Sequence, residues 1–263
     1  MDLNVSTALS HDPLLALENV SVSFPIYQMG SRSLKKHLLF RGTGGQIATD
    51  ATHRIVVEAL RNVSLNIKAG DRVALVGSNG AGKTTMLRVM AGVYQPSAGD
   101  VLSCGRISPL FDINLGIDSE LSGYDNIRLR GMLLGLSRRE IEAYLPDIVE
   151  FTELGDYLDI PVRTYSSGMM TRLTFAVATC FAPEILLMDE WIMAGDASFL
   201  AKAQHRVESF VERASILVLA SHSIEICRRW CTKALWMERG QIRMFGDIET
   251  VLTAYAENVN AVA

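Results

Sequence analysis

The stretch VALVGSNGAGKTTMLRVM, Val73 to Met90, decides the fold. Its first four residues are a short apolar run that ends at a glycine, as a fully buried parallel strand does. The residues after the loop have helical spacing and stop near Tyr94-Gln-Pro. Between them, Gly77, Ser78, Asn79, Gly80, Ala81, Gly82, Lys83 and Thr84 satisfy G-x-x-x-x-G-K-[ST] without a mismatch, and Thr85 follows. In that context glycines let successive backbone N–H groups point inward at phosphate oxygens, and the helix N-terminus adds its positive end. Lys83 reaches the terminal phosphates and Thr84 holds Mg²⁺. Alone, the loop implies only that a nucleoside triphosphate binds.

The rest of the chain is arranged around that unit. Upstream, LALENVSVSF and ALRNVSLNI alternate as strands, the second closed by the turn KAGD, and together they predict an antiparallel edge sheet. From about Phe111 to Ala182 the texture is helical. Ser137-Arg-Arg-Glu140 reads as a capping box, and Pro146 is expected to break or kink the helix that follows it. Strand texture returns with EILLMD and SILVLAS, and ALWMERGQIRMFGD reads as a hairpin turning at Arg239-Gly240. The order is that of an α/β nucleotide-binding core split by a helical subdomain. Residues 1–14 are expected to be frayed, 15–255 to form one domain with its helical insertion at about 112–182, and 256–263 to be a tail.

Composition bounds the rest. The 263 residues are 49% hydrophobic and 21% charged, an ordinary globular balance. No run approaches the length of a spanning helix, and the N-terminus has neither a basic start nor an apolar core, so a cytoplasmic protein is expected. A net charge of −4 argues against nucleic acid as a partner. Cys104, Cys180, Cys227 and Cys231 read as reduced thiols, with the last two spaced as buried residues on one helical face. Between Asn19 and Thr49 there is no acidic residue, while Arg32, Lys35, Lys36 and Arg41 surround Leu34, Leu38, Leu39 and Phe40. The pattern fits a basic amphipathic helix against an anionic membrane surface or the cytoplasmic face of a membrane partner; it also fits a solvated insertion with a few anchors.

Chemistry beyond the loop is supplied by three further stretches. In ILLMDE, Asp189 stands at the carboxyl end of a buried strand, where it can hold the metal directly or through water, and Glu190 is placed to orient or deprotonate an attacking water. SILVLAS ends in Ser221-His222, which brings an imidazole to the same edge, within reach of a γ-phosphate. In YSSGMMTRLTFAVAT, Tyr165, Ser166, Ser167, Gly168 and Met169 stand where an apolar helix begins, and they make a second anion site. The chain's own phosphate loop is engaged elsewhere, so this site would meet the nucleotide of another molecule. That arrangement requires a dimer.

Together these stretches resemble the nucleotide-binding subunits of ABC transporters. The fold this implies is α/β, a P-loop NTPase core of ABC type with an antiparallel β edge subdomain and an inserted helical subdomain. GSNGAGKTT is similar to Walker A, YSSGM to the signature loop, ILLMDE to Walker B with its glutamate, AGDA with Asp196 to the D-loop, and His222 to the switch histidine. The resemblance runs from about Leu15 to Tyr255 and implies an ATPase whose homodimer sandwiches two ATP molecules with Mg²⁺. Phe24 aligns with the aromatic that stacks on adenine, and Tyr27 is a second candidate. The signature departs from the family pattern in Tyr165 and in Ser167 where glycine is usual. Asp112-Ile-Asn114 stands where transporters usually carry a glutamine.

The YSSGM signature, WIMAGDASF after Walker B, the missing glutamine, the ELSGYDNI segment and the basic insertion look like the ATPases that export O-antigen, capsule or teichoic-acid polysaccharides. The likeness implies a peripheral subunit at the cytoplasmic face of the bacterial inner membrane. It would pair with an integral membrane permease that handles a lipid-linked glycan. Some members carry a further C-terminal glycan-binding domain, which is not expected here. The alternatives are an ABC ATPase exporting a drug, lipid or peptide, and a soluble non-transport ABC protein.

Overall fold

The computed structural model describes residues 14–25, 46–49, 55–111, 114, 116–189 and 197–262. Tyr27, the basic segment with Arg32, Lys35, Lys36 and Arg41, and Asp112, Glu190 and Asp196 lie outside the described residues. Among the described residues the strands form two sheets. The smaller is antiparallel, in the order β2 (Gln46–Thr49), β3 (Ile55–Lys68), β1 (Leu14–Pro25), β5 (Ala98–Cys104). The larger has the order β10 (Gln241–Asp247), β9 (Lys233–Glu238), β4 (Arg72–Val76), β8 (Ile216–Ala220), β7 (Ile185–Asp189), β6 (Ile107–Leu110). Its strands from β9 to β6 are parallel and β10 is an antiparallel edge.

The apolar runs dictate the centre of the larger sheet. VALV, ILLM and ILVLA are buried throughout, because both faces of these strands are covered. Alternation then divides their side chains between two cores. Val73, Leu75, Ile185, Leu187, Ile216 and Val218 face α1 (Lys83–Met90) and the small sheet, and they pack with Met86, Leu87, Met90, Leu15, Leu17 and Leu60. Ala74, Val76, Leu186, Met188, Leu217 and Leu219 face the helical insertion and α5 (Ala197–Arg213).

The insertion consists of α2 (Gly123–Leu133), α3 (Arg138–Thr152), two short 3-10 turns and α4 (Ser167–Ala178). The capping box forms as the sequence predicts: the Ser137 hydroxyl accepts from Glu140 N at 3.3 Å, and the Glu140 carboxylate accepts from Ser137 N at 2.8 Å. Pro146 does not break the helix, which runs through it to Thr152. The hydrogen bond Pro146 denies to Glu142 O costs up to about 3 kcal/mol. The reciprocal cap and the burial of Ile141, Ile148 and Phe151 on the core side offset it. Insertion and core meet through the rings of Phe151, Phe175 and Phe199, with centroids 5.6–6.0 Å apart. Cations frame this joint: Arg206 and Lys202 lie over Phe151 at 4.2 and 4.9 Å, Arg172 over Phe199 at 5.1 Å, and Glu153 binds both Lys202 and Arg172.

Other differences lie at the margins. Leu14, expected to be frayed, begins β1 and pairs with Lys68 and Cys104. The expected tail is mostly helix, since α7 runs from Ile248 to Val262. Gln46 begins β2, and neither β2 nor β5 is anticipated by pattern. Cys227 in α6 (Ile224–Trp230) and the capping Cys231 are buried, and burial pushes the Cys227 thiol up to about 11. Both cysteines pack in the apolar core beside Trp236 and Val251.

Candidate functional site

Parallel register delivers the site. Val76 pairs with Trp236, Leu75 with Ala220, and Asp189 with Ala220, so the segments leaving β4, β7 and β8 emerge at one edge of the sheet. This carboxyl edge is where open α/β sheets receive ligands. A pocket of about 600 Å³ opens there, lined by Asn79, Gly80, Gly82, Lys83, Thr84, Thr85, Asp189, His222 and Phe24, together with Val57 and Ala59. Residues from four separate stretches singled out in the sequence thus surround one cavity.

The phosphate loop is shaped by close backbone approach. A Cβ at Gly77, whose φ is +151°, would lie 2.4 Å from the Met237 carbonyl oxygen. At Gly82, φ +106°, it would lie 2.8 Å from the Ala59 carbonyl oxygen. Only glycine fits at either position without displacing main chain. The Lys83 side chain is buried and its Nζ donates to Gly77 O at 2.7 Å and Ser78 O at 3.2 Å, which draws it along the loop. Thr84 is exposed one residue into α1, and the helix N-terminus behind it faces the pocket. Asp189 is half-buried and His222 exposed at the ends of β7 and β8.

On the opposite wall, Phe24 near the end of β1 is 38% exposed, a half-open ring available to a flat ligand. Tyr94 meets it edge-on with centroids 5.3 Å apart, and the Tyr94 hydroxyl accepts from Arg88 at 3.2 Å. Ser97 fastens the loop after α1 to the same strand: its N–H donates to Ser21 O at 2.7 Å and its hydroxyl accepts from Ser23 N at 3.0 Å. Val57, Ala59 and Tyr94 were missed by sequence reasoning, because small apolar residues on a strand and a tyrosine after a helix carry no chemical signature.

The second Ser/Gly stretch lies at the start of α4, away from this pocket's lining. Ser166 is the N-cap and its exposed hydroxyl accepts from Met169 N at 3.2 Å. Ser167 is exposed and Gly168 half-buried, in the first turn, where N–H groups have no intrahelical acceptor. Tyr165 is turned inward. Its hydroxyl donates to Tyr157 O at 2.6 Å, and burial, with the charge of Asp159 adding to it, pushes the phenol up to about 12, so it stays a neutral donor. Asn114, beside the place where a glutamine is usual, is exposed, and its carbonyl accepts from Ile117 N at 3.3 Å. No described helix is long and apolar enough to cross a membrane.

Comparison with known proteins agrees with this geometry. Residues 60–193 match the family profile described as ABC transporter. The chain is 45% identical to the O-antigen export system ATP-binding protein RfbE of Yersinia enterocolitica, over 87% of this chain and 95% of that protein. It is 33% identical to the O-antigen export system ATP-binding protein RfbB of Klebsiella pneumoniae, over 94% of this chain and 98% of that one. The teichoic acids export ATP-binding protein TagH of Shouchella clausii is 34% identical over 95% of this chain and 67% of its own length. Among solved structures, an ATP-binding cassette dimer in a post-hydrolysis state with ADP and Pi superposes with a TM-score of 0.61 at 21% identity, covering 89% of this chain and 98% of that one. An ATP-binding subunit of an ABC transporter gives 0.65, also at 21%, covering 92% and 93%. The chain belongs to the ABC transporter family, as an ATP-binding and ATP-hydrolysing cassette of the group that includes the O-antigen and teichoic-acid export ATPases.

Proposed function

We propose that this cassette, residues 15–255 with its helical insertion at about 112–182, powers export of a lipid-linked polysaccharide. It would act as a homodimer on the cytoplasmic face of a bacterial inner membrane, bound to a separate integral membrane subunit. The observation that carries the substrate class is the 45% identity to the Yersinia O-antigen export protein along 95% of that protein's length. The pocket supports the chemistry. Backbone N–H groups of the phosphate loop and Lys83 would bind the β- and γ-phosphates, and Phe24 would stack on the base. Thr84 and Asp189, a hydroxyl and a carboxylate on one cavity, are hard oxygen donors that suit Mg²⁺. A bound Mg²⁺ would neutralise charge on the phosphates. Glu190 would orient the attacking water and take its proton, with His222 reaching the γ-phosphate. Ser166, Ser167 and Gly168 would close over the partner protomer's nucleotide, so that ATP draws the dimer shut and hydrolysis opens it.

Deleting the gene in its host and measuring lipid-linked glycan inside the cell against polysaccharide at the surface tests the substrate. Accumulation inside with loss outside is the expected result; unchanged amounts in both places would leave an ABC ATPase with other cargo. A smaller test concerns the base. Phe24→Ala should weaken ATP binding by about 1 kcal/mol, roughly fivefold, the contribution of an aromatic pair. Unchanged affinity would pass the stacking role to Tyr27.

A further inference from the structure

The turn between β9 and β10 carries more than the hairpin legible in its sequence. Arg239 and Gly240 have φ +48° and +77°, a left-handed pair that reverses the chain tightly. Gly240 is also wedged between two other segments. Its N–H donates to Ala81 O in the phosphate loop at 2.9 Å, and its carbonyl accepts from Arg61 N in β3 at 2.8 Å. A Cβ there would lie 2.6 Å from the Ala59 carbonyl oxygen. The Arg61 guanidinium holds the turn on both sides, donating to Arg239 O at 3.4 Å and to Gln241 Oε1 at 3.1 Å.

The two segments this turn bridges, the phosphate loop and β3, both contribute lining to the nucleotide pocket. Ala81 is 1% exposed, between Gly80 and Gly82, and Ala59 lines the pocket from the small sheet. Met237, three residues before Gly240, presses its carbonyl on Gly77. We propose that Gly240 is a positioning residue of the nucleotide site, which backs the phosphate loop from behind and sets its distance from the small sheet that presents the base platform. Any side chain at Gly240 must lift the turn off β3. That movement draws on the bond to Ala81, and Ala81 cannot shift without displacing the N–H groups on either side of it. The inference rests on the ATP-binding reading of the phosphate loop.

The test compares two glycines by ATP titration of the full chain with Mg²⁺. Gly70 also has positive φ, +88°, but sits in the turn before β4, at the end of that strand away from the pocket, with nothing within 4 Å of an added Cβ. Gly240→Ala and Gly70→Ala should both lower the melting temperature, since both strain the backbone. Gly240→Ala alone should weaken ATP binding tenfold or more, with Gly70→Ala within twofold of wild type. Gly240→Ala binding within twofold of wild type, or both variants weakening alike, overturns the proposal. Hydrogen exchange on the unmodified protein covers a variant that fails to fold: ATP should slow exchange in the Met237–Gln241 segment, and an unchanged rate there also overturns it. Wild-type protein that does not bind ATP would remove the proposed function itself, and this inference with it.

Discussion

Lys83→Met should cost the protein about a hundredfold in ATP affinity, roughly 3 kcal/mol, the upper range for hydrogen bonds to a charged group. Methionine keeps the length and volume of the side chain in its buried slot but has no ammonium. The loss is that of the cation proposed to meet the β- and γ-phosphates; the bonds Lys83 makes to the Gly77 and Ser78 carbonyls at 2.7 and 3.2 Å hold the side chain along the loop in the free protein and bear on stability instead. The effect should grade with phosphate number, largest for ATP, smaller for ADP and absent for AMP, as titration of the three would show. A variant that binds all three as wild type does would place the triphosphate elsewhere.

Glu190→Gln should act on rate and leave affinity alone. The amide is isosteric with the carboxylate and can orient water, but it cannot accept a proton, so hydrolysis should fall by about 10²–10⁴, the range for general acid–base catalysis. ATP affinity should stay within about threefold of wild type, as expected for a residue whose work is done in the transition state. Because hydrolysis opens the proposed dimer, this variant should elute at twice the monomer mass when ATP is present. Turnover within tenfold of wild type would remove Glu190 from the reaction.

Legibility followed physical cause. β4, β7 and β8 could be read as strands because they are covered on both faces and must be apolar throughout, and the turn at Arg239-Gly240 because few residues accept positive φ. The box at Ser137 and Glu140 is local chemistry, complete within four residues. β5 was opaque: AGDVLSC shows no clean alternation, and its place comes from pairing with β1, from Leu14↔Cys104 to Ser21↔Ala98. Of the two outcomes expected at Pro146, a break does not occur, because the cap at Ser137 and the buried face of Ile141, Ile148 and Phe151 hold the helix.

For the site, the phosphate loop, Asp189, His222 and Phe24 were legible and the structure brings them to one pocket. The wall formed by Val57 and Ala59 was not, because its contribution is shape and backbone, not functional groups. Glu190, Asp196 and Tyr27 stand on sequence alone.

The joint of Phe151, Phe175 and Phe199 with its three cations has a mechanical consequence. It ties α3 and α4 to α5 through packed rings and paired charges, and α5 is itself packed on the sheet through Ala203, Val207 and Phe210. In the proposed dimer, a push on Ser166 would therefore reach the sheet through fixed contacts.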